Sequence, residues 1–98
     1  MEEFGRDLNV IDVEATCWDG PPPQREVSEI IEIGLCVIDT ATLERVERHR
    51  LLVRPERSRV SAFCTGLTGL TQEDVNSGMS FREACSTLER QFRAKSRS

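Results

Sequence analysis

Long apolar runs are missing from this sequence, and no stretch approaches the ~20 apolar residues that a membrane-spanning helix needs. The first residues, Met-Glu-Glu-Phe-Gly-Arg, lack the basic start and the apolar segment of a secretory signal peptide. The composition, 38% hydrophobic and 31% charged, is ordinary for a globular protein, and 98 residues suffice for one small domain. We therefore expect a cytoplasmic protein.

Cysteine clusters are absent as well. The four cysteines are scattered along the chain, and no two are close enough in the sequence for a zinc knuckle or a redox pair. We expect them to be reduced and mostly buried in the core, where a free thiol behaves as a small apolar group. They are Cys17, Cys36, Cys64 and Cys85.

An excess of positive charge is also lacking, since 13 Lys and Arg face 17 Asp and Glu for a net charge of −4. This balance argues against a protein that coats nucleic acid by bulk charge. It leaves open an enzyme that grips a strand end locally, because acids around a metal site lower the net charge. His49 is the only histidine, and it lies in a charged stretch outside any motif. We assign it no catalytic role.

The sequence does contain an apolar run that ends in two acidic residues, Asn-Val-Ile-Asp-Val-Glu-Ala-Thr-Cys-Trp at 9–18. On a strand, Asp12 and Glu14 share one face, about 6.5–7 Å apart. Apolar residues on both faces predict a central, buried strand, where carboxylates need a cation. Carboxylate oxygens suit Mg²⁺ or Mn²⁺. The alternative is a solvated surface pair that binds nothing.

Residue patterns predict three strands, at 8–15, 29–38 and 43–54, of which the last is a charged edge strand. A turn is expected at 39–42. Residues 17–27, with three consecutive prolines, form a loop that is either a plain connector or a mobile flap over the acidic pair.

Helical signals dominate the second half of the sequence. A short helical turn is expected at 61–65, and Thr71 can cap a second short helix through residue 75. Ser80 and Glu83 have the spacing of a capping box, which starts the longest helix. Its apolar residues recur at helical spacing and are expected to be core. They are Phe81, Ala84, Cys85, Leu88 and Phe92. The polar, basic tail at 93–98 is either a disordered end or a linker.

Three antiparallel strands followed by helices predict an α/β class with an α+β start. The arrangement looks incomplete, because the apolar first strand would leave one edge of the sheet bare. We expect that edge to be covered by a missing C-terminal half or by a second copy in a dimer.

Four stretches, at 11–18, 29–32, 53–55 and 63–71, together resemble the DEDD (DEDDh) superfamily of 3′–5′ exonucleases, most closely the Eri-type branch that trims RNA ends. The resemblance implies a ribonuclease H-like fold, with residues 1–98 as the N-terminal portion of the exonuclease domain. It also implies two-metal hydrolysis of phosphodiester bonds at the 3′ end of single-stranded RNA or DNA.

Roles for individual residues follow from the same resemblance. Asp12 would bridge two Mg²⁺ or Mn²⁺ ions, and Glu14 would hold the ion that activates water. Backbone at positions 15 and 16 would meet the terminal nucleotide, and the 67–70 loop would lie near its base and sugar. The tryptophan could stack on a base or pack within the protein. The implied substrate-binding residues are Ala15, Thr16, Trp18, Leu67, Thr68 and Leu70.

The sequence departs from the family pattern, since the second-motif Asp, the later His and the final Asp have no counterpart within these 98 residues. Asp7, Asp19 and Asp74 do not match those positions. Two carboxylates alone hold Mg²⁺ weakly, and losing a general base typically costs about 10²–10⁴ in rate. We therefore expect the chain by itself to be inactive. The alternative function is a non-catalytic module for nucleic-acid binding or assembly.

Overall fold

The computed structural model describes residues 7–91, which form one three-stranded antiparallel sheet followed by three helices. The elements are β1 (Asp7–Ala15), β2 (Ile30–Asp39), β3 (Glu44–Leu52), α1 (Ala62–Thr68), α2 (Gln72–Asn76) and α3 (Phe81–Gln91). Every predicted strand and helix is confirmed, and α1 is longer than the single turn expected. The predictions for Phe92 and the tail lie outside the described residues. No helix of the described part is long and apolar enough to cross a membrane.

The turn between β2 and β3 lies where the sequence predicts it. The Leu43 amide donates to the Asp39 carbonyl at 2.6 Å, and the Ala41 amide donates to Asp39 Oδ1 at 2.8 Å. Leu43 adopts a left-handed conformation, with φ of 64°, to bring the chain back into β3. These local hydrogen bonds set the antiparallel register of the two strands.

The core lies on one face of β2, where alternate side chains are buried beneath the helices. Ile31 packs against α1 and α2, and Ile33 packs against Ala84 of α3. The β2 residues of this face are Ile31, Ile33, Leu35 and Val37, all at most 4% exposed. The alternation is that of a strand with one covered face, so β2 is the strand around which the fold packs.

The prediction that the first strand is central and buried is wrong for the described residues. The sheet order is β1-β2-β3, so β1 is an edge strand paired only with β2. Its apolar side chains on both faces are 41–46% exposed: Leu8, Val10, Ile11 and Val13. Apolar side chains on both faces show that a strand has two surfaces to bury. The order of the strands in the sheet determines which neighbours cover those surfaces. The predicted bare edge, in contrast, is present.

The expected core stripe of α3 is only partly buried. Ala84 is fully buried and Leu88 is half-buried beneath the sheet, as predicted. Phe81 is 51% exposed and Cys85 is exposed, so for these two residues the prediction is wrong. Helical spacing places all of them within one wide stripe, but the three-stranded sheet covers only part of its width.

The α2 and α3 helices each start with a pair of reciprocal hydrogen bonds. This confirms the predicted Thr71 cap and the predicted capping box at Ser80, and the return bond from Thr71 to Asp74 was not predicted. The Asp74 amide donates to the Thr71 hydroxyl at 3.1 Å, and the Thr71 amide donates to the Asp74 carboxylate at 2.9 Å. Ser80 and Glu83 repeat the pattern at 3.1 and 2.9 Å. The bonds from Thr71 and Ser80 hold the pKa of the Asp74 and Glu83 carboxyls below their ordinary values.

Candidate active site

The two acidic residues of β1 lie on the face of the sheet opposite the helices. Asp12 pairs with Gly34 across the sheet, and Glu14 pairs with Glu32. Directly opposed residues share a face, and this face alternates with the one on which Ile33 is buried against α3. Asp12 and Glu14 therefore project together, as strand alternation predicts.

Both carboxylates are accessible for ligand binding. Asp12 is exposed and Glu14 is half-buried, and within residues 7–91 neither side chain has a hydrogen bond or an ion pair. The neighbouring Glu32 differs, because its carboxylate is ion-paired with Arg50. Like charges two positions apart on one strand repel unless a cation lies between them. The pair fits part of a divalent metal site.

The described residues do not complete such a site by themselves. Among them, no group of three or more His, Cys, Asp and Glu side chains is arranged to hold a metal ion. Asp12 and Glu14 would thus supply two oxygen ligands, and water or residues beyond the described part would supply the others.

The end of β1 is anchored by Thr16, which is fully buried. The strand register shifts between Glu14 and Ala15, and beyond this bulge the Thr16 amide donates to the Glu29 carbonyl at 2.9 Å. The Thr16 hydroxyl accepts from the Glu29 amide at 2.8 Å, and Ser28 Oγ donates to the Thr16 carbonyl at 2.7 Å. Both backbone groups of Thr16 are thus engaged within the protein. A nucleotide bound there would have to displace the amide bond or donate a second hydrogen bond to the carbonyl oxygen, which has two lone pairs.

Glu29 extends this anchor to the segment after β3, a role that sequence reasoning missed. Its carboxylate accepts from Ser58 Oγ at 2.6 Å, from the Arg57 amide at 2.8 Å and from the Glu56 amide at 3.0 Å. The Ser58 hydroxyl also lies 3.0 Å from that of Thr16. Burial by itself raises the pKa of Glu29, but the hydrogen bonds and the Arg57 charge outweigh it and lower the pKa.

Replacing Glu29 by glutamine is expected to destabilise the protein by about 2 kcal/mol at pH 7, because an amide group then faces N–H donors. The folded pKa of Glu29 is depressed, so its contribution is present above the unfolded value and lost as the pH falls through the folded value. Urea unfolding of both proteins between neutral pH and about pH 3 measures this. The stability difference should shrink in acid. Glu44→Gln, at an exposed carboxylate on β3, is the matched control; an equal loss in both variants would contradict the assignment.

Helix α1 packs beside the end of β1. Ser61 Oγ donates to the Cys17 carbonyl at 2.7 Å, and Cys64 Sγ lies 3.5 Å from the Ala15 carbonyl. The exposed side of α1 carries Leu67, which is 66% exposed, and one turn earlier Phe63, which is 41% exposed. The predicted residues Ala15 and Leu67 are thus on adjoining elements. Phe63 was missed, because nothing in the sequence distinguishes an exposed phenylalanine from a core one.

Leu70, predicted to face a substrate, is instead a core residue. It is 2% exposed and packs with Cys64 and Val75 beneath β2. Gly69 ends α1 in a left-handed conformation, with φ of 79°, and this turns Leu70 inward. A sequence pattern in a loop does not reveal which side chain turns inward.

Thr68 and Trp18 are both half-buried, so part of each remains accessible. The Thr68 hydroxyl donates to the Cys64 carbonyl at 2.9 Å and accepts from the Leu70 amide at 3.1 Å. Its polar group thus already supports the end of α1. Trp18 lies in the loop between β1 and β2, and both predicted functions of that loop stay open.

Fewer of the cysteines are buried than predicted, and two that are distant in the sequence lie close together in the fold. Cys64 is buried, Cys17 and Cys36 are half-buried, and Cys85 is exposed. Folding packs Cys17 against the core cluster that contains Cys64. Burial raises the pKa of the Cys17 thiol, and Cys64 and the charge of Glu14 raise it further.

Comparison with known proteins identifies the family of the chain. Residues 9–97 match the family model for the RNase T exonucleases, described as Exonuclease. The human 3′-5′ exoribonuclease 1 is 44% identical over 73 residues, which are 74% of this chain and 21% of that protein. The 3′-5′ exonuclease Snipper of Drosophila melanogaster is 43% identical over 77 residues, 76% of this chain and 27% of that protein.

Solved structures agree with the sequence relatives. The nuclease domain of 3′hExo, a DEDDh family member bound to rAMP, superposes with a TM-score of 0.81 at 34% identity over 97% of this chain and 48% of that one. A 3′-exonuclease that recognises the histone mRNA stem-loop gives a TM-score of 0.80 at 35% identity over 96% and 42%. The chain spans less than half the length of these relatives. It belongs to the RNase T exonuclease family and has the ribonuclease H-like fold of DEDDh nuclease domains.

Proposed function

We propose that this chain is the N-terminal portion of a metal-dependent 3′–5′ exonuclease domain that acts on single-stranded ends. The observation that carries the proposal is the pair of accessible, unpartnered carboxylates of Asp12 and Glu14 at the end of β1, within the described residues of a chain of this family. An isolated pair of this kind is stabilised by a cation, and two oxygen ligands suit Mg²⁺ or Mn²⁺.

Asp12 and Glu14 would hold the metal in this proposal. In a two-metal site the ions stabilise the attacking and leaving oxygens of the phosphodiester. The chain itself positions the acids, because Thr16 and Glu29 anchor the strand just beyond them. Asp12 and Glu14 would both be carboxylate ligands of the bound metal, which would supply charge stabilisation and an activated water.

The substrate would lie where the end of β1 meets α1. Leu67 and Phe63 offer an exposed apolar surface there, and Ala15 lies across from it. Exposed apolar side chains can stack on a terminal base, and Trp18 and Thr68 would border the same area. The related nuclease structures are described with rAMP and with a histone mRNA stem-loop, which favours an RNA 3′ end for this chain. DNA is the other candidate.

The 98-residue chain alone is expected to show little or no trimming of single-stranded RNA with Mn²⁺. The described residues offer two metal ligands and no histidine near them, and losing a general base alone costs about 10²–10⁴ in rate. The measurement is degradation of a 5′-labelled RNA, with a complete 3′-5′ exoribonuclease as the positive control. Robust trimming by the chain that disappears in Asp12→Asn would show that a second subunit supplies the remaining groups.

The exposed apolar residues of β1 favour a second candidate, a non-catalytic nucleic-acid-binding or assembly module. Its bare edge would be covered by a second copy or another partner, whereas an exonuclease domain would cover it with a further strand from its C-terminal half. Sedimentation of the chain separates these functions when combined with the trimming assay. A stable, inactive dimer supports the module. For either function we predict a cytoplasmic location, in line with the free cysteines of the described residues.

A further inference from the structure

Two thiols meet where β1 ends against α1, and nothing in the proposed function uses them. Cys17 packs on the core cluster that contains Cys64. One side chain also holds both backbones: Ser61 Oγ donates to the Cys17 carbonyl at 2.7 Å and accepts from the Cys64 amide at 3.0 Å. The backbones of the two residues are therefore held close together by this one side chain.

A disulfide requires Cα atoms within about 7 Å and sulfurs about 2 Å apart. Because one hydroxyl group is hydrogen-bonded to both backbones, the two residues lie near this range. Two side chains of one packed cluster, on backbones that share one hydroxyl group, need only a short approach. Cys17 can supply it, because it begins the loop between β1 and β2 and lies outside both strands. Cys64 is buried and fixed in α1, with its sulfur 3.5 Å from the Ala15 carbonyl.

We propose that Cys17 and Cys64 are a redox-sensitive pair that forms a reversible disulfide with a small disulfide oxidant such as oxidised glutathione. The half-buried Cys17 is reached first, whereas Cys64 is fully buried. The Cys17 thiolate attacks one glutathione sulfur, which forms a mixed disulfide and releases one glutathione thiolate. The Cys64 thiolate then attacks the Cys17 sulfur and releases the second glutathione thiolate. The two protons lost by the cysteines convert both products to thiols.

The bond would clamp the end of β1 to α1. Glu14 lies just before this point on the chain, and α1 carries the exposed Leu67. Oxidation would thus fix the spacing between the acidic pair and the apolar surface of α1. The formation of the bond itself does not depend on the exonuclease proposal, so either can fail alone.

The test is mass spectrometry of the 98-residue chain carrying Cys85→Ser, which removes the exposed thiol of α3. After incubation with oxidised glutathione in mildly alkaline buffer, the free thiols should fall from three to one, with no glutathione retained. Peptide mapping should find Cys17 joined to Cys64. Dithiothreitol should restore all three thiols.

Two variants in the same background complete the test. Cys36→Ser, at a half-buried cysteine of β2, should form the disulfide as before. Cys17→Ser should lose it. The oxidised protein should also melt higher than the reduced one, by on the order of 10 °C, because the bond closes a long loop. Mapping needs no variant to fold, so a mixed disulfide left on Cys17 with Cys64 free, or a different linkage, would overturn the proposal.

Discussion

Replacing Asp12 by asparagine is expected to weaken Mn²⁺ binding at the end of β1 by at least ~10-fold. Loss of a group that merely supports a metal ligand already costs about 10–100-fold in affinity, and Asp12 would be a ligand itself. Asparagine keeps the shape of the side chain but removes its charge, so the fold should be unchanged. In the unsubstituted chain, Mn²⁺ should broaden the amide signals of residues 11–15 in NMR spectra, and in Asp12→Asn the broadening should need far more metal.

Asp19→Asn is the matched control for this experiment. Asp19 is an exposed aspartate in the loop that follows β1, and the same chemical change there should leave the broadening intact. In a longer form of the chain that trims RNA, Asp12→Asn should lower the rate by about 10³-fold or more, as expected for removing charge stabilisation from the transition state. Unchanged broadening in Asp12→Asn would remove the basis of the metal site.

Replacing Gly78 by alanine is expected to destabilise the fold by about 3 kcal/mol, near the upper end for overpacking. A Cβ at this position would lie 2.7 Å from the carbonyl carbon and oxygen of Leu52 and 2.9 Å from the amide nitrogen of Val53. These are backbone atoms that cannot rotate away. The neighbouring Met79 amide donates to the Leu52 carbonyl at 3.0 Å, so the clash would also separate the segment before α3 from the end of β3. Urea unfolding measures the loss.

Gly66→Ala is the control, because the same change there should have the opposite sign. Gly66 lies inside α1 and a Cβ would meet nothing within 4 Å. Alanine is preferred over glycine in a helix by about 0.5–1 kcal/mol, so this variant should unfold at higher urea. Equal effects of the two substitutions would mean that the segment before α3 does not pack on the end of β3 as described.

The exposed strand β1 shows which structural features the pattern of apolar residues predicts and which it does not. Apolar residues on both faces of residues 8–15 correctly predict a strand that needs two covered faces. The pattern does not show which elements cover these two faces. In the described residues β2 is the central strand, and β1 is an exposed edge strand. The acidic pair is nevertheless placed correctly, because the alternation of a strand depends on backbone geometry alone.

Local hydrogen bonds and side-chain orientations could be predicted from the sequence wherever the interacting groups are neighbours along the chain. Spacings of a few residues predict the Thr71 cap, the Ser80 capping box, the turn after β2 and the shared face of Asp12 and Glu14. Family membership could be predicted for a similar reason, since it depends on the order of short motifs.

Contacts between distant parts of the chain could not be predicted from the sequence. Glu29 accepts hydrogen bonds from Arg57 and Ser58, and Cys17 meets Cys64, through pairings that no local spacing encodes. Leu70 turned out to be core and Phe81 exposed because packing assigns faces only after the sheet order is set. Short motifs identified the residues that are proposed to act at the end of β1. The fold determined which of these residues face solvent and which are buried and held by contacts within the protein.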